Sequence, residues 1–272
     1  ILNLIKTNTM KKLLLVLILV PLISFGQNQK KDTLSILFVG NSFNYFYNLP
    51  QVVNAMSAYS NNYYLKTRHS LVGASTLYEH LNQEKGTKTI DILNSESFDY
   101  VVLQHHSTAA QRNFENLETP PKVKDSFFPF MKTSKKMIEL VKSKNAIPIF
   151  MMTWAYRSNP LMIDTISSAY NSMSEQLDVD VIPCGLLFDK AMKLRPDLNL
   201  FEDNSHPSKN GTYLNGLAFY KYFTNEKTSH IPKRITTIDR NGEKLYLLFI
   251  SKSNSDFLQN VADDFDYKTL LN

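Results

Sequence analysis

Short apolar runs alternate with longer segments of helical periodicity along most of this 272-residue chain. The apolar runs are rich in β-branched and aromatic residues, which is typical of buried strands in a parallel sheet. They predict five strands, at residues 36–39, 64–70, 100–104, 147–153 and 179–183. The intervening pattern predicts helices at residues 49–59, 75–93, 122–144, 162–177, 186–194 and 208–223. Ser75 and Ser208 are the expected N-caps of the second and last of these helices.

Strands that alternate with helices form right-handed βαβ units, so the sheet should be parallel and covered on both faces. We therefore predict an α/β fold, a flavodoxin-like three-layer α/β/α sandwich with strand order 2-1-3-4-5 and a crevice beside the first strand. After residue 230 the pattern changes to a predicted β-hairpin, at residues 234–239 and 244–250, followed by a helix at 255–265. We interpret residues 231–272 as an extension packed on the domain formed by residues 27–230.

The N-terminus has the pattern of an export signal. Lys11 and Lys12 precede an apolar stretch at 13–23, and Ser24 and Gly26 supply the small residues that a signal peptidase needs. The pattern predicts a signal peptide at residues 1–26, with Met10 as the true start and a periplasmic or extracellular mature protein without stable membrane insertion. The alternative is an uncleaved N-terminal anchor.

Charge and cysteine content exclude several classes of function. The formal net charge is +5, but loss of the signal segment leaves 27 basic and 25 acidic residues. No block of five basic residues occurs, so no nucleic-acid partner is expected. The single cysteine, Cys184, excludes an internal disulfide and a multi-cysteine metal site. Its apolar, strand-like surroundings favour a small buried side chain.

The first candidate for chemistry is Ser42, in the stretch Gly40-Asn41-Ser42-Phe43 that follows the first strand. Gly40 would let the chain bend sharply. Ligands of open α/β sheets bind beyond the carboxyl ends of the strands, so a serine at this place can act as a nucleophile. The alternative is that Asn41 and Ser42 only form a turn and helix cap.

A second candidate lies in the loop before the last helix of the core, where Asp203 and His206 are three residues apart. A carboxylate so close can hold one imidazole nitrogen, which leaves the other free to accept a serine proton. The alternative is a helix-entry loop with two exposed polar residues. A metal site is disfavoured because the histidines at 69, 80 and 230 are scattered.

Two further positions follow the strands that should flank the first strand. Gly73 lies after the second strand, and Gln104 ends the third. With the amide of Ser42, the backbone of Gly73 and the side chain of Gln104 would form a three-donor oxyanion hole, as acyl transfer needs. The alternatives are an ordinary turn glycine and a polar residue at a strand end.

These blocks resemble, in order and position, those of the SGNH hydrolase superfamily, also called GDSL esterases and lipases. The blocks are Gly40-Asn41-Ser42-Phe43, Gly73, Leu103-Gln104 and Asp203-x-x-His206, and the resemblance spans about residues 34–226. The chain looks most similar to a secreted Bacteroidetes branch whose first block reads Gly-Asn-Ser-Phe. The resemblance implies Ser42 as nucleophile, His206 as base, Asp203 as its orienting carboxylate, and oxyanion donors from Ser42 and Gly73.

The chain departs from the family pattern at two places. Asn41 stands where the first block usually has Asp, which is not the carboxylate of the triad. The third block usually reads Gly-x-Asn-Asp, and its Asn donates to the oxyanion. Gln104-His105-His106-Ser107 takes that place here, so either Gln104 or His105 would be the third donor.

We therefore expect an exported serine esterase that forms an acyl-enzyme and needs no metal or cofactor. By analogy with similar exported proteins, the substrate would be a small-molecule or polysaccharide ester, most specifically an O-acetyl group on carbohydrate. Side chains expected to contact substrate are Asn41, Tyr45, His105, His106 and Trp154. The alternatives are a non-catalytic carbohydrate-binding protein on the same fold and a hydrolase of lipid or thioester substrates.

Overall fold

The structure, a computed structural model, describes residues 31–110 and 130–267. The predicted signal peptide and residues 122–129 of the predicted helix 122–144 lie outside this range. Within it, no helix combines the length and apolar character needed to cross a membrane.

A five-stranded parallel sheet forms the centre of the fold, in the order β2-β1-β3-β4-β5. The strands are β1 (Asp32–Gly40), β2 (Tyr63–Leu71), β3 (Tyr100–Leu103), β4 (Ile147–Met151) and β5 (Asp180–Ile182). The predicted fold class and strand order are confirmed. β1 is longer than predicted, and the side chains of its residues 36–39 are all fully buried. The strand that leads to Ser42 is therefore enclosed on both faces of the sheet.

Helices cover both faces of the sheet, which follows from the alternation of side chains along β1. Ile36 and Phe38 pack into one apolar cluster with helices α2, α7, α8 and α9, and Leu37 and Val39 pack into another with α3, α4, α5 and α6. The helices are α1 (Ser42–Tyr45), α2 (Leu49–Ser57), α3 (Leu77–Leu81), α4 (Thr89–Ser95), α5 (Phe130–Ser143), α6 (Met162–Leu177), α7 (Cys184–Leu194), α8 (Lys209–Thr224) and α9 (Lys252–Asp263).

The predicted helix 75–93 is wrong, because the structure has two short helices there, α3 and α4. Gln83, Lys85 and Gly86 between them adopt positive φ angles of 58°, 54° and 75°, which no α-helix accommodates. The N-cap is Thr76, in a capping box with Glu79, and not the predicted Ser75. The Ser75 hydroxyl instead bonds to the backbone carbonyls of Gly40 and Val72.

The predicted C-terminal hairpin is present as β6 (Arg234–Ile238) and β7 (Lys244–Phe249). Ile235, Leu248 and the α9 residue Leu258 are buried in the same cluster as Ile36, so this segment contributes to the core on that face. α9 begins at Lys252, earlier than predicted, because Ser251 caps it. Cys184 also differs from expectation: it is buried, but it begins helix α7 and does not lie in a strand.

Candidate active site

Ser42 lies just beyond the carboxyl end of β1, as the first residue of the short helix α1. Asn41 has extended backbone angles and caps this helix, since its Oδ1 accepts a hydrogen bond from the Phe43 amide at 3.2 Å. The cap turns the chain out of β1, and it leaves Ser42 only partly buried. The Ser42 amide, at the first helical position, has no acceptor within its own helix.

His206 and Asp203 approach Ser42 from the loop before α8. His206 Nε2 lies 2.8 Å from Ser42 Oγ, and His206 Nδ1 lies 2.7 Å from Asp203 Oδ2. A bridge between Phe201 and Pro207 closes the loop at its base, and the Glu202 amide donates to the His206 carbonyl at 2.9 Å. The three residues of the predicted triad therefore form one continuous hydrogen-bonded chain.

Asp203 is held as a carboxylate by several donors. Its partial burial alone would raise its pKa, but bonds from the Ser205 and His206 amides at 2.7 and 2.8 Å and from the His206 ring outweigh this. The net effect keeps the pKa of Asp203 well below its usual range. The side chain is 54% exposed and that of His206 is 25% exposed, so the site opens to solvent from this side.

Two phenylalanines hold the His206 ring. Phe46 stacks on it at 4.1 Å with an interplanar angle of 10°, and Phe43 meets it edge-on at 5.6 Å. The sequence alone does not assign this role to Phe46; its one signal is the place of Phe46 in the aromatic run Tyr45-Phe46-Tyr47 after Ser42. Tyr45 lies on the other side, 44% exposed, and its hydroxyl would be 3.1 Å from a Cβ built on Gly73. Tyr45 therefore borders the space between Ser42 and Gly73.

Trp154 does not line the crevice as predicted. Its side chain is fully buried, and its ring stacks between Phe43 at 4.7 Å and Phe188 at 4.3 Å. Its indole N–H donates to the Ser205 carbonyl at 2.8 Å. Trp154 supports the loop that carries the histidine and the carboxylate, because Ser205 lies between them. The prediction that this residue contacts substrate finds no support in this geometry.

Gln104 is fully buried behind the turn at residues 40–42, and its side chain makes no hydrogen bond to Ser42. Its Oε1 accepts from the Asn41 amide at 2.9 Å and from Asn44 Nδ2 at 3.1 Å, and its Nε2 donates to the His105 carbonyl. Gly40 makes room for it: a Cβ there would lie 2.9 Å from Asn44 Nδ2 and closer still to Gln104 Oε1. This need for space, and not a positive φ, requires glycine at position 40.

The adjacent residues His105 and His106 lie in different environments. His105 is 3% exposed, with its ring 4.4 Å from that of Phe130 and its Nε2 2.8 Å from Ser134 Oγ. Burial, with a smaller contribution from the charge of His106, lowers the pKa of His105 to about 3. Because its ring is enclosed in the core, the predicted contact of His105 with the oxyanion or with substrate finds no support in this geometry. His106 is half-buried, and its Nδ1 lies 3.2 Å from Thr108 Oγ1.

The loop that carries Gly73 is hydrogen-bonded to the turn that precedes Ser42. The Val72 amide donates to the Gly40 carbonyl at 3.1 Å, and Asn41 Nδ2 donates to the Ser75 carbonyl at 2.9 Å. Gly73, between these two bonds, is exposed. Asn41 is 2% exposed and its side chain is already bonded at both ends, so its predicted contact with substrate finds no support.

Within residues 31–110 and 130–267, no group of three histidine, cysteine or acidic side chains is placed to hold a metal ion. The fold is a three-layer α/β/α sandwich, with a serine, a histidine and an aspartate joined by hydrogen bonds at the carboxyl edge of its sheet. The chain matches no protein-family model, and comparison with curated proteins found no match.

Solved structures with this fold come from several bacteria. A protein from Slackia heliotrinireducens, provisionally classed as an SGNH hydrolase, has a TM-score of 0.53 and 20% identity over 72% of this chain and 100% of its own. A DUF4886 family protein from Bacteroides uniformis has a TM-score of 0.59 and 17% identity, over 86% of this chain and 94% of its own. The acetylxylan esterase Axe2 from Geobacillus stearothermophilus has a TM-score of 0.53 and 16% identity, over 70% of this chain and 94% of its own. At these identities the similarity establishes the fold alone.

Proposed function

We propose that this chain is a serine esterase in which Ser42 is the nucleophile, His206 the general base and Asp203 the group that orients it. One observation carries the proposal: Ser42 Oγ, the His206 ring and the Asp203 carboxylate are joined by contacts of 2.8 and 2.7 Å. This geometry matches the roles that acyl transfer by a serine requires. The fold similarity to a known acetylxylan esterase supports it further.

In the proposed mechanism, Ser42 Oγ attacks the ester carbonyl carbon while its proton moves to His206 Nε2. The tetrahedral intermediate collapses, His206 gives that proton to the leaving alcohol oxygen, and an acyl-enzyme remains on Ser42. Water then attacks the acyl carbon while its proton moves to His206, and His206 returns that proton to Ser42 Oγ as the acid leaves. Asp203 stays ionised throughout and stabilises the imidazolium, consistent with the low pKa of its carboxyl.

The oxyanion in this proposal is held by the backbone amides of Ser42 and Gly73. The exposed loop of Gly73 and the first helical position of Ser42 suit two amides that converge on one oxygen. Gln104 has a different part, because its carboxamide oxygen holds the Asn41 amide just before Ser42. We propose that it fixes the turn from behind and donates nothing to the oxyanion.

For the substrate we propose an O-acetyl ester on carbohydrate, hydrolysed outside the cytoplasm as the N-terminal pattern predicts. One of the structural neighbours is an acetylxylan esterase, and structures of its catalytic mutants replace a serine, an aspartate and a histidine. The aspartate and the histidine are three positions apart in that enzyme, as Asp203 and His206 are here. The hydrogen-bonded triad also favours an enzyme over the alternative of a non-catalytic carbohydrate-binding protein.

The test uses the chain from Gln27 beside Ser42→Ala, with Ser143→Ala as a matched control because Ser143 lies at the exposed end of α5. Acetate release from p-nitrophenyl acetate and from acetylated xylan should fall at least about 10³-fold in Ser42→Ala alone. After the wild-type protein is treated with a fluorophosphonate, mass spectrometry should find one adduct, on Ser42. Equal background rates in all three proteins would refute the proposal. Faster release from p-nitrophenyl octanoate than from the acetate would favour a lipid substrate.

A further inference from the structure

A buried carbonyl lies directly before the nucleophile turn and accepts three hydrogen bonds. The Gly40 carbonyl oxygen is 3.1 Å from the Val72 amide, 3.1 Å from Ser75 Oγ and 2.9 Å from His80 Nε2. All three donors belong to the segment that leaves β2 and enters α3. One atom at the end of β1 thus links the strand that carries Ser42 to the loop that carries Gly73.

His80 is the innermost of these donors. Its side chain is fully buried, its Nε2 also lies 2.9 Å from Ser75 Oγ, and its Nδ1 lies 2.7 Å from Thr89 Oγ1. Burial lowers the pKa of His80 to about 4, although the Gly40 carbonyl and Glu79 oppose the shift. The ring is therefore neutral at physiological pH. Because a carbonyl can only accept, Nε2 carries the ring proton and Nδ1 accepts from the Thr89 hydroxyl.

The loop held by His80 is not in a relaxed conformation. Ala74, next to Gly73, has a φ of 52°, in the left-handed region that residues with a Cβ rarely adopt. Such backbone persists only where surrounding contacts impose it. Here the Ala74 carbonyl accepts from Lys85 Nζ at 2.8 Å, and the Ser75 carbonyl accepts from Asn41 Nδ2 at 2.9 Å. The position of the Gly73 amide thus depends on the contacts of its neighbours.

We propose that His80 is a positioning residue that sets the spacing between the Ser42 and Gly73 amides, by fastening the Gly73 loop to the carbonyl of Gly40. This inference rests on the proposed function, in which those two amides hold the oxyanion. Stabilisation of an oxyanion depends steeply on donor placement. Loss of the bond to Gly40 should therefore lower kcat and leave ground-state binding of the ester, and hence KM, nearly unchanged.

Two substitutions of His80 separate positioning from packing. In His80→Gln the side-chain amide occupies the place of Nε2, so it can still donate to the Gly40 carbonyl. In His80→Asn the shorter amide reaches only the Thr89 side. For p-nitrophenyl acetate we expect kcat to fall about 10- to 100-fold in His80→Asn, with KM within about 3-fold, and to remain within about 5-fold of wild type in His80→Gln.

The outcomes are distinguishable. Wild-type kcat in His80→Asn, or equal losses in both variants, overturns the positioning role and leaves the esterase proposal intact. Absence of hydrolysis dependent on Ser42 in the wild type overturns both. If His80→Asn does not fold, as judged by circular dichroism, His80→Gln decides the matter because it keeps the donor to the Gly40 carbonyl. A kcat within about 5-fold of wild type at constant KM is then expected, and a larger fall in the folded variant overturns the inference.

Discussion

Two buried histidines should make the stability of this protein fall as the pH is lowered from 8 to 5. His80 and His105 are 0% and 3% exposed, and burial lowers their pKa values from 6.5 to about 4 and about 3. In the unfolded chain both rings take up a proton near pH 6.5, whereas in the folded protein they stay neutral. The folded state is thus favoured fully above pH 6.5, and this advantage is lost as the pH falls towards the folded pKa values.

The magnitude follows from the pKa differences. A pH of 5 lies about 1.5 units below the pKa of the unfolded imidazole, whereas the folded ring is still mostly neutral there. This difference in proton uptake corresponds to about 2 kcal/mol per histidine. The two together should lower the free energy of unfolding by about 4 kcal/mol, a large part of the usual 5–15 kcal/mol. Asp203 and Glu226 contribute little to the change in unfolding free energy between pH 8 and pH 5. Their pKa values are lowered, so their stabilising effect is lost mainly below their usual values of 3.8 and 4.5.

Urea unfolding followed by the fluorescence of Trp154, the chain's single tryptophan, measures this quantity at pH 8, 7, 6 and 5. His105→Gln can keep a bond to Ser134 and cannot titrate, so it should remove about half of the pH dependence. His230→Gln, which removes an exposed imidazole, is the matched control and should leave the dependence in place. Equal slopes in wild type and His105→Gln would refute the reasoning.

Three substitutions test other contacts of the site. Trp154→Phe keeps the aromatic stack but removes the donor to the Ser205 carbonyl, so kcat should fall about 10-fold and unfolding free energy by about 2 kcal/mol; unchanged kinetics would contradict this. Gly40→Ala should destabilise by about 1–3 kcal/mol, read from urea curves, because its Cβ overlaps the side chain of Gln104. Asp203→Asn should lower kcat about 10²- to 10⁴-fold in steady-state assays, and wild-type turnover would exclude Asp203 from the triad.

The fold and the main candidates could be predicted from local pattern. Four apolar residues at 36–39 marked β1 because both faces of a parallel sheet are covered, and the period of the later segments marked helices. Ser42, Asp203 and His206 were identifiable since motif order, together with parallel topology, directs them to one edge of the sheet. The break between α3 and α4 was missed although Gly86 is a residue type that readily adopts a positive φ, whereas Gln83 and Lys85 carry no such signal.

The sequence by itself determined the layers, the strand order and which residue types could perform acyl transfer, because these depend on periodicity and on connections along the chain. Tertiary structure alone decided where each polar or aromatic side chain points. Gln104 binds the Asn41 amide behind the turn that precedes Ser42, and Trp154 is buried under the loop of Asp203 and His206. His80 contacts the Gly40 carbonyl, 40 positions away in the sequence. Such contacts depend on side-chain direction between residues distant in sequence, which no local pattern encodes.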